Sequence, residues 1–138
     1  MSSRPLLNPA GFRVPRGDVE LLSLESGAPN TLRCSLRVPP GARFLAGHFD
    51  GEPIVPAVAE LSAMVLPAIA SHWPDSGPLR ALRGLRFERP IRPDEEIELT
   101  VERRGPTVYR FTLKREGARC AVGQLELEAD AEYGGAAR

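Results

Sequence analysis

Only the stretch from Val55 to His72 carries a sustained helical pattern, and it is apolar almost all the way round. Val55, Val58, Ala59, Leu61, Met64, Val65, Leu66, Ala68 and Ile69 cover too wide an arc for a helix that rests one stripe on a core and wets the rest. Such a helix must be wrapped by other parts of the chain. Pro56 fits its first turn, where a missing N–H costs nothing. Pro67 lies further in and deprives the carbonyl of Ala63 of its usual donor, which predicts a bend in the last turn and a half.

The rest of the chain reads as strands, which supply the wrapping. Val19 to Ser26 and Thr31 to Val38 alternate apolar and polar residues, and Gly27-Ala28-Pro29-Asn30 between them has the turn residues of a hairpin. A proline- and glycine-rich loop, VPPGARFLAGHFDGEP, then leads to the helix. Downstream, Leu79 to Ile91, Glu95 to Gly105, Val108 to Glu116 and Ala118 to Ala129 are each bounded by Pro or Gly signals. Four strands in succession imply an antiparallel meander. The expected architecture is α+β, with a curved antiparallel sheet of about six strands around one long helix. Residues 1–17 read as an extended arm that packs loosely or not at all, 18–130 as the domain, and 131–138 as a flexible tail.

A chain of 138 residues accommodates one such domain and not two. Lys plus Arg and Asp plus Glu both number 18, so no net field favours nucleic acid or an anionic membrane, and a charged partner must be met by a local patch. No apolar run is long enough to span a bilayer, and the first residues lack the apolar core of a secretory signal, so a cytoplasmic location is expected. Cys34 and Cys120 stand far apart inside apolar alternating segments, which suits small buried hydrophobes better than a disulfide or a metal site. His72 and Trp73 close the helix and read as structural, the histidine favouring the helix dipole and the tryptophan packing.

The chemistry-bearing run is Ala46-Gly47-His48-Phe49-Asp50-Gly51-Glu52-Pro53-Ile54-Val55-Pro56-Ala57-Val58. It sets a histidine in a glycine-flanked loop that enters a buried helix, whose first N–H groups lack helical acceptors and carry partial positive charge. A histidine beside such donors can move a proton next to a carbonyl while the donors hold a developing oxyanion. A loop histidine can also be merely packed or solvated. The run resembles the GHFPGxPIxPGV signature of the hot-dog-fold 3-hydroxyacyl-(acyl-carrier-protein) dehydratases, matching it at Gly47, His48, Phe49, Gly51, Pro53, Ile54, Pro56 and Val58. A second stretch, Gly84-Leu85-Arg86-Phe87-Glu88-Arg89-Pro90-Ile91-Arg92-Pro93-Asp94, is similar to that family's RFxxPIxPGD-like block.

The resemblance implies a hot-dog fold and an acyl-thioester substrate, carried on acyl carrier protein or coenzyme A, with no metal or redox cofactor. It implies that His48 is the proton-transfer residue, that Phe49, Gly51, Pro56, Ala57 and Val58 line the substrate site, and that the N–H of Ala57 polarises the thioester carbonyl. It further implies a homodimer, or a heterodimer with a related subunit. Ala57 stands where the family has glycine, and Asp50 where it has proline.

The larger departure is the acid. The family's catalytic Glu or Asp falls on Ser62, six residues past Pro56 and roughly 9 Å along the axis, on a stripe shared with Val55, Val58, Val65, Leu66 and Ile69. Ser62 is therefore expected to face inward, yet a serine cannot supply a proton as a carboxylic acid does. Glu60 is rotated by about 200° to the other side of a regular helix. Asp50 and Glu52 could approach from the loop. Arg80, Arg83, Arg86, Arg89 and Arg92 recur in one segment, either as a solvated alternating edge or as a patch for an acidic carrier protein or a phosphopantetheine phosphate. Three readings follow: a dehydratase of fatty-acid, polyketide or aryl-polyene type acyl-chain synthesis, a silent acyl-binding or heterodimer subunit of the same fold, or a hot-dog thioesterase.

Overall fold

The structure is a computed structural model and describes residues 4–5, 19–25, 28–42 and 54–129. In chain order the elements are β1 (Arg4–Pro5), β2 (Glu20–Glu25), β3 (Thr31–Arg37), a helix, β4 (Ser76–Phe87), β5 (Glu96–Arg103), β6 (Val108–Arg115) and β7 (Ala118–Ala129). The helix runs as α1 (Ala57–Ala59), a π-helical stretch (Glu60–Val65) and α2 (Leu66–His72). All strands join one antiparallel sheet in the order β1-β2-β3-β5-β6-β7-β4. Within residues 1–17, Arg4 and Pro5 pair with Leu21 and Glu20.

Alternation builds the core. Ile97, Leu99 and Val101 of β5 lie inward beside Tyr109, Phe111 and Leu113 of β6, with Val101 opposite Phe111 and Leu99 opposite Leu113. Leu32, Cys34 and Leu36 of β3 and Cys120, Ala121 and Leu125 of β7 extend the same face. The helix adds Ala59, Ala63, Met64, Val65, Ala68 and Ile69 to this single apolar cluster. Both cysteines are buried free thiols, and burial pushes that of Cys34 up to about 12. Trp73 is buried too, its ring 5.4 Å from that of Tyr109 and its Nε1 donating to the carbonyl of Pro29.

The irregularity expected at Pro67 takes a specific form. Pro67 has no N–H, so the turn before it widens and the N–H of Leu66 donates to Leu61, five residues back.

Two expectations for the strands are corrected. The four late strands do not form a simple meander, because β5, β6 and β7 are consecutive neighbours while β4 pairs only with β7 at the far edge. The chain after β4 crosses the sheet, held by Val55 N–H donating to Ile91 (2.7 Å) and by Asp94 N–H donating to Val38 (2.8 Å). β4 also ends at Phe87, short of Ile91. The N–H groups of Glu88 and Arg89 both turn to the carbonyl of Cys120, and Pro90 has none to offer the ladder.

β4 also slips register between Arg83 and Arg86, where Gly84 takes a φ of 60°. Leu85 then crosses over Gly123 of β7, at a position where a Cβ would strike the Leu85 side chain and come within 2.9 Å of Phe111. Glycine is required there for the close approach.

Candidate functional site

The two sequence blocks meet at the start of the helix. Val55, from the first block, donates its N–H to Ile91 of the second, and both side chains are buried. Pro56 follows as the N-cap in extended conformation (φ −64°, ψ 149°), half-buried, and Ala57 is exposed. The carbonyl of Pro56 accepts from Ala59 and Glu60, so the N–H groups of Ala57 and Val58 precede the helical ladder. His48, Phe49 and Gly51, with Asp50 and Glu52, lie outside the described residues.

Ser62 does not face the core. It is exposed on the single chain, whereas Glu60 is 3 % exposed, buried like Ala59, Ala63 and Met64 of the same helix. Val55, Val65 and Ile69 of the expected stripe are buried and Leu66 is half-buried, so the departure is at Ser62. The π-helical stretch explains this, because its wider turn carries the intervening residues off the regular spacing.

Glu60, which helical arithmetic set aside, is the buried charged residue among those described. Its Oε1 is buried with no hydrogen-bond partner among the described residues, and desolvation pushes its carboxyl up to about 8. This apolar setting favours the protonated acid over the carboxylate. Burial also raises the thiol of Cys120; Arg115 opposes that rise and the charge of Glu60 adds to it. The signal available in the sequence was a charged letter within the apolar run Ala57-Val58-Ala59-Glu60-Leu61, where a solvated glutamate has no natural place.

The arginine series divides. Arg83 and Arg86 join Arg110 of β6 and Arg119 of β7 around a groove of about 380 Å³, floored in part by Gln124. Gln124 pairs with Arg83 on one side and Arg110 on the other. Arg83 donates to Glu126 at 2.9 Å, and Arg119 grips Glu88 through Nε and Nη2 at 2.7 and 3.0 Å, holding that carboxyl below its usual range. Arg80 is exposed and Arg92 half-buried, neither lining this groove, while Arg89 donates to the carbonyl of Arg119 and lies beside Glu88 at its margin. Arg110 and Arg119 were not part of the expected series, since pairing across strands and not spacing along one strand brings them in.

At the far end of the helix, Arg103 makes a two-pronged bond with Asp75 (2.7 and 3.2 Å) and lies 5.3 Å from the centre of the Tyr109 ring. His72 meets Trp73 edge-on, and burial lowers its pKa. This cluster ties the helix end to β5 and β6, as a structural closing of the helix requires. Among the described residues no group of three or more His, Cys, Asp or Glu is placed to hold a metal ion, and no helix is long and apolar enough to cross a membrane.

Comparisons with known proteins bear on the family and the fold. Residues 25–124 match the ApeI-like family, described as ApeI dehydratase. The chain is 33% identical over 99 residues to the 3-hydroxyacyl-[acyl-carrier-protein] dehydratase FabZ of Anaeromyxobacter sp., covering 63% of this chain and 60% of the relative. It is 38% identical over 94 residues to FabZ of Haemophilus influenzae, covering 60% of each. The chain thus spans about 60% of the length of these curated relatives. Among solved structures it superposes on the dehydratase heterocomplex ApeI:P from Xenorhabdus doucetiae with a TM-score of 0.71 at 18% identity, covering 78% of this chain and 95% of that one. It matches zebra fish thioesterase superfamily member 2 with a TM-score of 0.53 at 20% identity, covering 80% of each. The sheet around one helix is the hot-dog fold, and with the family match over most of its length this chain belongs to the ApeI-like family of dehydratase-type hot-dog proteins.

Proposed function

We propose that this chain dehydrates 3-hydroxyacyl thioesters in fatty-acid, polyketide or aryl-polyene type acyl-chain synthesis, with His48 as the proton-transfer residue. The observation that carries the reading is the bond from Val55 to Ile91, which joins the two dehydratase-like blocks at the helix entry. Residues 18–130 form the working unit, in the cytoplasm, without metal or redox cofactor. Phe49, Gly51, Pro56, Ala57 and Val58 line the acyl site, and the Ala57 N–H polarises the thioester carbonyl.

The substrate arrives on acyl carrier protein or coenzyme A. The groove of Arg83, Arg86, Arg110 and Arg119 supports the carrier by its charge, since arginine forks suit phosphate and carboxylate oxygens. The chain works as a pair, with itself or with a related subunit. Support comes from β4, a twelve-residue edge strand with Leu79, Leu82 and Phe87 exposed.

A second reading has its own observation. The serine at position 62 leaves no acid where the relatives' pattern has one, which favours a silent subunit that binds acyl thioesters for a partner. Purified protein given 3-hydroxyacyl and enoyl thioesters distinguishes them. Reversible hydration without hydrolysis, reduced about 10²-fold or more by His48→Ala, is the expected result. Binding without turnover favours the silent subunit, and hydrolysis favours a thioesterase.

A further inference from the structure

Glu60 is unused by the chemistry above, and its surroundings are unusual for a structural residue. A carboxyl taken out of water ordinarily acquires a cation or backbone donors, because leaving it unpaired costs stability. Glu60 is 3 % exposed, and its Oε1 meets no donor or acceptor among the described residues. Glutamine or leucine would fill similar space without an ionisable group. The residue also opens the π-helical stretch, an irregularity that recurs at functional sites.

Its place along the helix is equally telling. Helical side chains lean toward the N-terminus, so a glutamate at position 60 carries its carboxyl back to the level of the first turn. That level is where Val55 and Ile91 join the two motif blocks. Ser62, exposed on the other side, offers no carboxyl at all.

We infer that Glu60 is the carboxylic acid that meets the 3-hydroxyl of the acyl thioester and protonates it as it leaves, in place of a carboxylate at position 62. This rests on the dehydratase reading. The base, His48 in that reading, takes a proton from C2, and the electron pair of that C–H bond becomes the C2–C3 double bond. The C3–O bond breaks, Glu60 gives its proton to the departing oxygen, and water and the enoyl thioester are released. Proton return from the base to Glu60 through solvent resets the site. The apolar setting favours the neutral acid, as a donor must be.

Two measurements on the intact protein test this. Infrared difference spectra of the wild type should show a protonated-carboxyl band that is missing in Glu60→Gln and that shifts when a short enoyl-pantetheine thioester is added. Dehydration should fall by about 10²-fold or more in Glu60→Gln, recover in part in Glu60→Asp, and decline in the wild type above a pH of about 8. Glu98→Gln, an exposed carboxyl of β5, is the control and should behave as wild type. A carboxyl band that ignores saturating thioester, or a Glu60→Gln protein as fast as wild type, overturns the inference. The spectra use the wild type, so poor folding of a variant does not rescue the idea. A band that shifts in a protein without turnover would keep the contact with Glu60 and remove the dehydratase reading.

Discussion

β6 and β4 are both rich in apolar residues, yet they end in opposite surroundings. Along β6 the alternation is strict, and Tyr109, Phe111 and Leu113 are fully buried. Along β4, Leu79 and Leu82 are 41 % and 38 % exposed and Phe87 is 41 % exposed. The difference is one of neighbours and not composition. β6 has β5 on one side and β7 on the other, whereas β4 has only β7 and slips register along it. The interior of this sheet is completed by the chain itself, whereas no strand among the described residues lies beyond its β4 edge.

The largest expected effect breaks the comparison on the buried side. Phe111→Ala should cost about 3–5 kcal/mol in urea unfolding, because the ring is enclosed by Val101 and Gly123 across the sheet and the helix cluster beneath, which cannot collapse into the space. Leu82→Ala should cost about 0.5 kcal/mol or less at concentrations where the chain is alone. Equal losses would show that β4 is buried in the state being measured.

The same contrast explains what could be read from the letters. Strands such as β6 and β7 declare themselves because burial on one face selects a period of two, and Ala118–Ala129 emerged with the expected bounds. The order of strands did not, since it depends on the crossing held by Val55–Ile91 and Asp94–Val38, bonds between backbones far apart in sequence. At the site, the helix start was legible through Pro56. The orientation of residues 60 and 62 was not. Regular helical arithmetic assumes a regular helix, and Pro67 converts the preceding turns to a wider one. The arginine groove was half legible, because Arg83 and Arg86 share a strand while Arg110 and Arg119 arrive by register.

A pH-dependent effect sharpens the contrast within the helix. The Glu60 carboxyl titrates at about 8 in the folded chain against an ordinary 4.5. Between those values the folded state keeps a proton that the unfolded state has released. Stability must therefore fall as pH rises from about 4.5 to about 8, by at most about 1.4 kcal/mol per unit from this group, and level off beyond. Glu60→Gln removes that slope, so its advantage over wild type in denaturant midpoint should be small at pH 5 and grow toward pH 8. Parallel profiles for the two proteins would mean that the carboxyl is hydrated after all.

The smallest effect on folding should carry the largest effect on assembly. Leu79 and Leu82 are already exposed on the single chain, so Leu79→Lys with Leu82→Lys removes little apolar contact within it, and the unfolding midpoint of the isolated chain should move by less than about 1 kcal/mol. Two lysines on an edge strand are, however, a recognised way to stop strand pairing, because each would bring a charge into the contact that a second sheet makes. If a second copy completes β4, the wild type should sediment as a dimer at micromolar concentration and the variant as a monomer, with dehydration lost in the same step if the partner walls the acyl site. A wild type that sediments as a monomer and still turns over would separate the exposed edge from the reaction. A variant that remains dimeric would place the contact elsewhere, and β2, where Leu22 and Leu24 are also exposed beyond the two residues that pair with β1, would be the surface to change next.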